Sequence, residues 1–408
     1  MQGLRARVLQ QKVEVQQLDG PPVLNGRSLW LHRDSNGGWS GDMYCLSQTV
    51  HVTAPASVAV TVQPGRPLIE HRGTVQLLNF DFLLQNTGPN SLHLNRIAVS
   101  ISDKRNKLIL RRQLDENGRP SGLSTVSQLD IPSGGRIGVF NPFYEFASEI
   151  KIEKMSYEFF FNDPGYKTAT PLDYQYSIEV SVKPEDFVGE TALFLPLHQR
   201  SLIFDGHDFY SHHRRQNLAD PAFERLRIRG NAVRYAYDFC PINENGDMYK
   251  DSPWRKENWY GYGQPIYTTG GGTVVGSAND VPENNFNGKE VVYAHPPGND
   301  LYKAAYGNFV VIDHGHGEFS FLAHMKTGSV RVKAGDHVVA GQQVGELGFT
   351  GDAFAPHLHY MLIDSADVFK AEGLPSYFRN FRRVLGSAFE NVSQGQIDSG
   401  DIVEPQNK

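Results

Sequence analysis

Cysteine is almost missing: Cys45 and Cys240 are the only two in 408 residues, so at most one bridge is possible and a disulfide framework is excluded. Long apolar runs are missing too. None approaches the roughly 18 to 20 residues that a membrane-spanning helix needs, and the opening stretch MQGLRARVLQQKVEVQQ lacks the apolar core of a secretory signal. No block of one charge sign stands out. The 39 Lys and Arg are interspersed with 45 Asp and Glu for a net charge of -6, which leaves no electrostatic footprint for nucleic acid. What is present is ordinary for a globular chain of two or three domains, with 39% hydrophobic and 21% charged residues.

The patterning is that of strands. Residues 1–55 form an amino-terminal segment that the sequence does not assign beyond short strands. Over 56–198, VAVTV, VQLLNFDFLL, LHLNRIAVSIS, KLILRRQL, RIGVF, SYEFFFN and YSIEVSV are separated by turn signals such as QPGRP, QNTGPNS and DENGRPSG. This spacing predicts an antiparallel, immunoglobulin-like β-sandwich. Its histidines and acids are scattered, which fits a spacer or binding module. After PLHQRSLIF, histidine, tyrosine and glycine become dense, and a second all-β unit is expected over 199–385, followed by a loose polar tail over 386–408.

Within that second unit, APHLHYML places His357 and His359 at i and i+2 of an apolar strand, hence on one face. Taken alone, two such imidazoles can simply bond neighbouring carbonyls. Other stretches change the balance: FYSHHRR supplies His212 and His213, VRYAYDF ends in Asp238, and FSFLAHM closes on His324. A carboxylate among aromatic and apolar neighbours is costly to bury unless it is paired or bound to metal. Two imidazoles and one carboxylate suit zinc, leaving a fourth position for water. Such a water is a nucleophile near neutrality, and histidine has the pKa range to move its protons. The bland readings fit other positions better: His295 as a solvated loop residue, His314 and His316 as turn residues, and Gly270 to Gly272 as a strand turn.

In order and spacing, the SHH pair, YAYDF, GQPIYTTGGGTVV, GNFVVIDHG, FLAHMKTGSVRVKAGDHVVAGQQVGELGFTG and PHLHYML resemble the lysostaphin-type, LytM-like zinc metalloendopeptidases. The resemblance covers roughly 199–385. It implies an antiparallel β-sheet peptidase domain of the duplicated hybrid motif fold and hydrolysis of peptidoglycan stem or cross-bridge peptides by a metal-bound water. It also implies an extracytoplasmic location, secreted, periplasmic or wall-associated. Carried over residue by residue, it makes His212, Asp238 and His359 the zinc ligands, with His213 as the alternate, and His324 and His357 the catalytic pair. His212 is preferred because the ligand of similar sequences follows a small polar residue, here Ser211. One departure stands out: many relatives carry the first ligand four residues before the aspartate, where this chain has Arg234. The competing expectation is an inactive peptidase-like scaffold that binds cell wall or activates another hydrolase. A biotinyl or lipoyl carrier reading of VKAGDHVVAGQQVGELG lacks the lysine such a hairpin tip needs.

Overall fold

The computed structural model describes the backbone of Val23–Leu24, Arg27–Arg33 and Trp39–Tyr44, and residues 57–406 except Pro120, Ser127 and 168–172. Cys45 and most of the unassigned segment 1–55 lie outside the described residues. The architecture is all-β and almost wholly antiparallel, with only short helices among the described residues.

In the amino-terminal half, strand Lys154–Asn162 shows why the chain folds as it does. Met155, Tyr157, Phe159 and Phe161 alternate along it and all point inward, as a half-buried pleat requires. It pairs with Leu92–Ser102 in a five-stranded sheet, while Asp81–Asn86 belongs to a separate three-stranded sheet. Their inner faces meet in one apolar cluster, where Phe82 lies 4.8 Å from the ring of Tyr157 and 5.0 Å from Phe159. Edge-on aromatic packing of this kind adds to what burial alone contributes.

The carboxy-terminal half is built on an eleven-stranded sheet. At its centre, Asn308–Asp313, Phe319–Met325, Leu358–Ile363 and Tyr237–Pro241 lie side by side, each antiparallel to the next. Tyr237, Phe239, Leu358 and Tyr360 pack one face into the larger core cluster. Ala236, Phe309, Phe321, Ala323 and Met361 form a smaller cluster of their own. Leu193, Leu195 and Leu197, written ahead of residue 199, also join the larger core.

The expected loose tail is corrected. Ala388–Gly395 and Ile402–Pro405 are strands of the same sheet, and Ile397 and Val403 are buried in its core. Ala388–Gly395 pairs on one side only, with Phe378–Leu385, and is exposed along most of its length. A solvated edge strand carries no apolar alternation, so its sequence reads as tail.

Candidate active site

Asp238 and His359 are direct cross-strand partners, so their side chains stand on the same face of the sheet. His359 Nδ1 lies 3.0 Å from Asp238 Oδ1. His357, just before the strand begins, brings its Nε2 to 3.4 Å from the same oxygen. All three side chains are buried.

His324 reaches the group by breaking the strand rule. Ala323 is the cross-strand partner of His359, so in a regular strand His324 would point to the opposite face. Its φ is instead 60°, a left-handed value that only a few per cent of non-glycine residues adopt. The ring turns back and lies 4.8 Å from that of His357 and 5.7 Å from that of His359. Its Nδ1 faces the carbonyl of Thr350 at 2.8 Å. A carbonyl only accepts, so this Nδ1 carries the proton and Nε2 is left as the acceptor. The same logic applies to His357, whose Nδ1 donates to the Ala355 carbonyl at 2.8 Å. The Thr350 segment is itself held by close backbone approach: Gly307 has φ 64°, and a Cβ there would lie 2.2 Å from Thr350 Oγ1.

The adjacent histidines of SHH go to different places. His213 is buried, with Nε2 3.8 Å from Asp238 Oδ2 and its ring 4.9 Å from that of His359. The His212 side chain is 65% exposed, and its Nδ1 is taken by the carboxylate of Asp205. One ligand atom from each of Asp205, His212, His213 and Asp238 lies within 4.8 Å of the others. Both imidazoles thus lie near Asp238, the buried one of His213 directly against it and the exposed one of His212 bonded to Asp205. The two rings lie 4.1 Å apart, and which of them is the buried one is not written in Ser-His-His.

Charge and burial set the electrostatics. Burial alone would raise the Asp238 carboxyl, but the neighbouring His213 and His357, with hydrogen bonds from His357 and His359, hold it well below its usual range. Burial, aided by His357 and His359, pushes His324 well below the ordinary histidine value. Burial likewise brings His213 down to about 4, against the pull of Asp238. His357 goes the other way: burial opposes protonation, yet the charge and hydrogen bond of Asp238 outweigh it and raise its pKa.

This donor set fits a zinc ion. Zinc bonds of about 2.0–2.1 Å in a tetrahedron put ligand atoms about 3.3 Å apart. The Asp238 oxygens stand 3.0 Å from His359 Nδ1 and 3.8 Å from His213 Nε2, which brackets that spacing. His213 Nδ1 and His359 Nε2 are buried without a hydrogen-bond partner.

Several neighbours carried no sequence signal. Phe354 stacks on His357 with centroids 4.7 Å apart, and Tyr306 lies 6.2 Å from His359. An aromatic row runs from Trp254 and Trp259 through Phe286 to Phe349, the residue next to Thr350. His295 is exposed, and His314 bonds the Gly271 carbonyl and Ser320, both away from Asp238.

Residues 260–370, in the carboxy-terminal half, match the family described as Peptidase family M23. His324, His357 and His359 fall inside the matched span, and His213 and Asp238 lie ahead of it. Over 101 residues, 25% of this chain, the sequence is 36% identical to peptidoglycan DD-endopeptidase ShyA of Vibrio cholerae. That stretch spans only 18% of the relative's length. Among solved structures, the antimicrobial peptidase lysostaphin from Staphylococcus simulans aligns with 54% of this chain and 92% of its own, at 15% identity and a TM-score of 0.24. A zinc-containing peptidase from Vibrio cholerae aligns over 91% of each chain at 12% identity and a TM-score of 0.25. Both structural likenesses are weak.

Proposed function

We propose that this chain is a zinc-dependent endopeptidase of peptidoglycan stem or cross-bridge peptides, with His213, Asp238 and His359 as metal ligands. The observation that carries the reading is the buried meeting of three imidazoles on one carboxylate, with a fourth, His324, packed against two of them. A zinc ion there would polarise the scissile carbonyl and make an attacking water more acidic. His324, kept neutral and presenting Nε2, is placed to accept a proton from that water. His357, whose protonated form Asp238 favours, is placed to donate from Nε2 to the oxygen on which charge develops. Thr350 and Ala355 hold both rings in orientation through their carbonyls. The accessible rings of that row, Trp254, Trp259 and Phe286, offer a wall along which a peptide can lie.

The substrate class rests on the M23 match and on the peptidoglycan-cleaving relative, and it implies that the protein works outside the cytoplasm. The test is digestion of defined peptidoglycan fragments with mass analysis of products, with and without a chelator. Chelator-sensitive release of a single peptide product is expected. A zinc-loaded protein that binds the fragments and cuts none would favour the inactive scaffold instead.

A further inference from the structure

The two chain segments that carry His213 and Asp238 are both anchored outside the peptidase half, on one residue. Arg214 follows His213 directly and is completely buried. Its guanidinium donates from Nη1 to both oxygens of Asp81 at 2.8 and 3.0 Å, from Nε to Asn79 Oδ1 at 3.1 Å, and from Nη2 to the Phe80 carbonyl at 3.1 Å. Every one of these partners lies at the start of one sandwich strand. Arg234 stands four residues before Asp238, is also buried, and donates to Asp81 as well. It reaches the Gln63 carbonyl at 3.2 Å and Glu372 at 3.3 Å besides. Asn231 ties the same pieces together by donating to the carbonyls of His213 and Arg214 at 3.2 and 3.3 Å.

A guanidinium cannot shed its charge to escape burial, so without Asp81 both arginines must find water or stay buried and unpaired. Arg214 shares a peptide bond with His213, so moving one moves the other. A metal ligand that shifts by a fraction of an ångström weakens the site. We propose that the amino-terminal sandwich completes the metal centre: Asp81 is a positioning residue that clamps Arg214 and Arg234 together and thereby sets His213 against Asp238. This rests on the reading of His213 as a ligand. It also accounts for an arginine at 234, where many sequences similar to this one carry a ligand.

The test uses the full chain, stripped of metal and titrated with cobalt(II), reading both the affinity and the visible absorption of the bound ion. Asp81→Asn is expected to bind cobalt roughly 10- to 100-fold more weakly and with an altered spectrum, while retaining native circular dichroism. Asp81→Glu restores part of the affinity. Arg72→Gln is the control, because it removes another ion pair between the same two halves, Arg72 with Asp398 at 3.0 Å, and leaves the bonds of Asp81, Arg214 and Arg234 in place. It is expected to lower thermal stability and leave cobalt affinity within about twofold. If Asp81→Asn fails to fold, Arg214→Lys keeps the charge and loses the forked bonds, and an intermediate loss of affinity is expected. Wild-type affinity and spectrum in the folded Asp81 or Arg214 variant overturns the proposal, as does an equal loss in Arg72→Gln. His213→Ala with undiminished cobalt affinity would instead overturn the ligand assignment itself.

Discussion

Two buried carboxylates on β-strands, Asp81 and Asp238, are each surrounded by basic side chains and do opposite things. Asp81 meets two arginines whose guanidinium groups are otherwise bonded to carbonyls, an amide and a second carboxylate. Asp238 meets imidazoles, two of which keep a buried nitrogen without a partner. Arginine stays charged and presents only donors, so the first cluster is closed and permanent. Histidine can be neutral and present a lone pair, so the second cluster remains open to a metal or a proton. The choice of base around a buried acid separates a closed cluster from an open one.

The sharpest way to break this contrast is Asp238→Ala. Metal content should fall from one zinc per chain to none and activity by at least about 10³-fold; zinc retained in the variant would refute the site. His324→Ala should lower turnover by roughly 10²–10⁴-fold with zinc still bound, the signature of a group that handles protons rather than metal. Asp81→Ala should cost about 3–5 kcal/mol in urea unfolding because two charges are left buried. Asp238→Ala in the metal-free protein should cost clearly less, since imidazoles can give up their protons; equal costs would erase the distinction.

A third buried acid gives a pH test. Burial alone would raise Glu70, but His207, Tyr377 and Asn79 bring its carboxyl below its ordinary value of 4.5. The unfolded chain therefore takes up this proton first as pH falls. The stability contributed by Glu70 is present above about 4.5 and is lost as pH drops through the lower folded value. In Glu70→Gln, melting temperature between pH 5 and pH 3 should decline less steeply than in the wild type. The smallest effect is expected for His212→Ala, with zinc content unchanged and stability within about 0.5 kcal/mol. Loss of zinc there would restore His212 as the ligand.

How much of this was legible follows from the range of each signal. Period-2 alternation and turn residues mark the strands of both halves, because burial of one face is a local demand on composition. His357 and His359 share an environment for the same reason, and Asp238 stands out as an acid in an apolar strand. His324 was visible as a residue type, yet its inward turn depends on a left-handed φ that no pattern announces. The strand Ala388–Gly395 was invisible because an exposed edge has nothing to bury.

By itself, then, the order of residues determined that this is an all-β chain with a histidine-rich second half, and which histidines and which aspartate were worth watching. Only the tertiary structure decided that His213 is buried against Asp238 while His212 is mostly exposed, and that Arg214 pairs with Asp81, more than 130 positions ahead of it. Side-chain alternation is set by neighbours one and two residues away. The direction of a ring in a turn, and the partner of a buried charge, are set by whatever the rest of the chain packs against them.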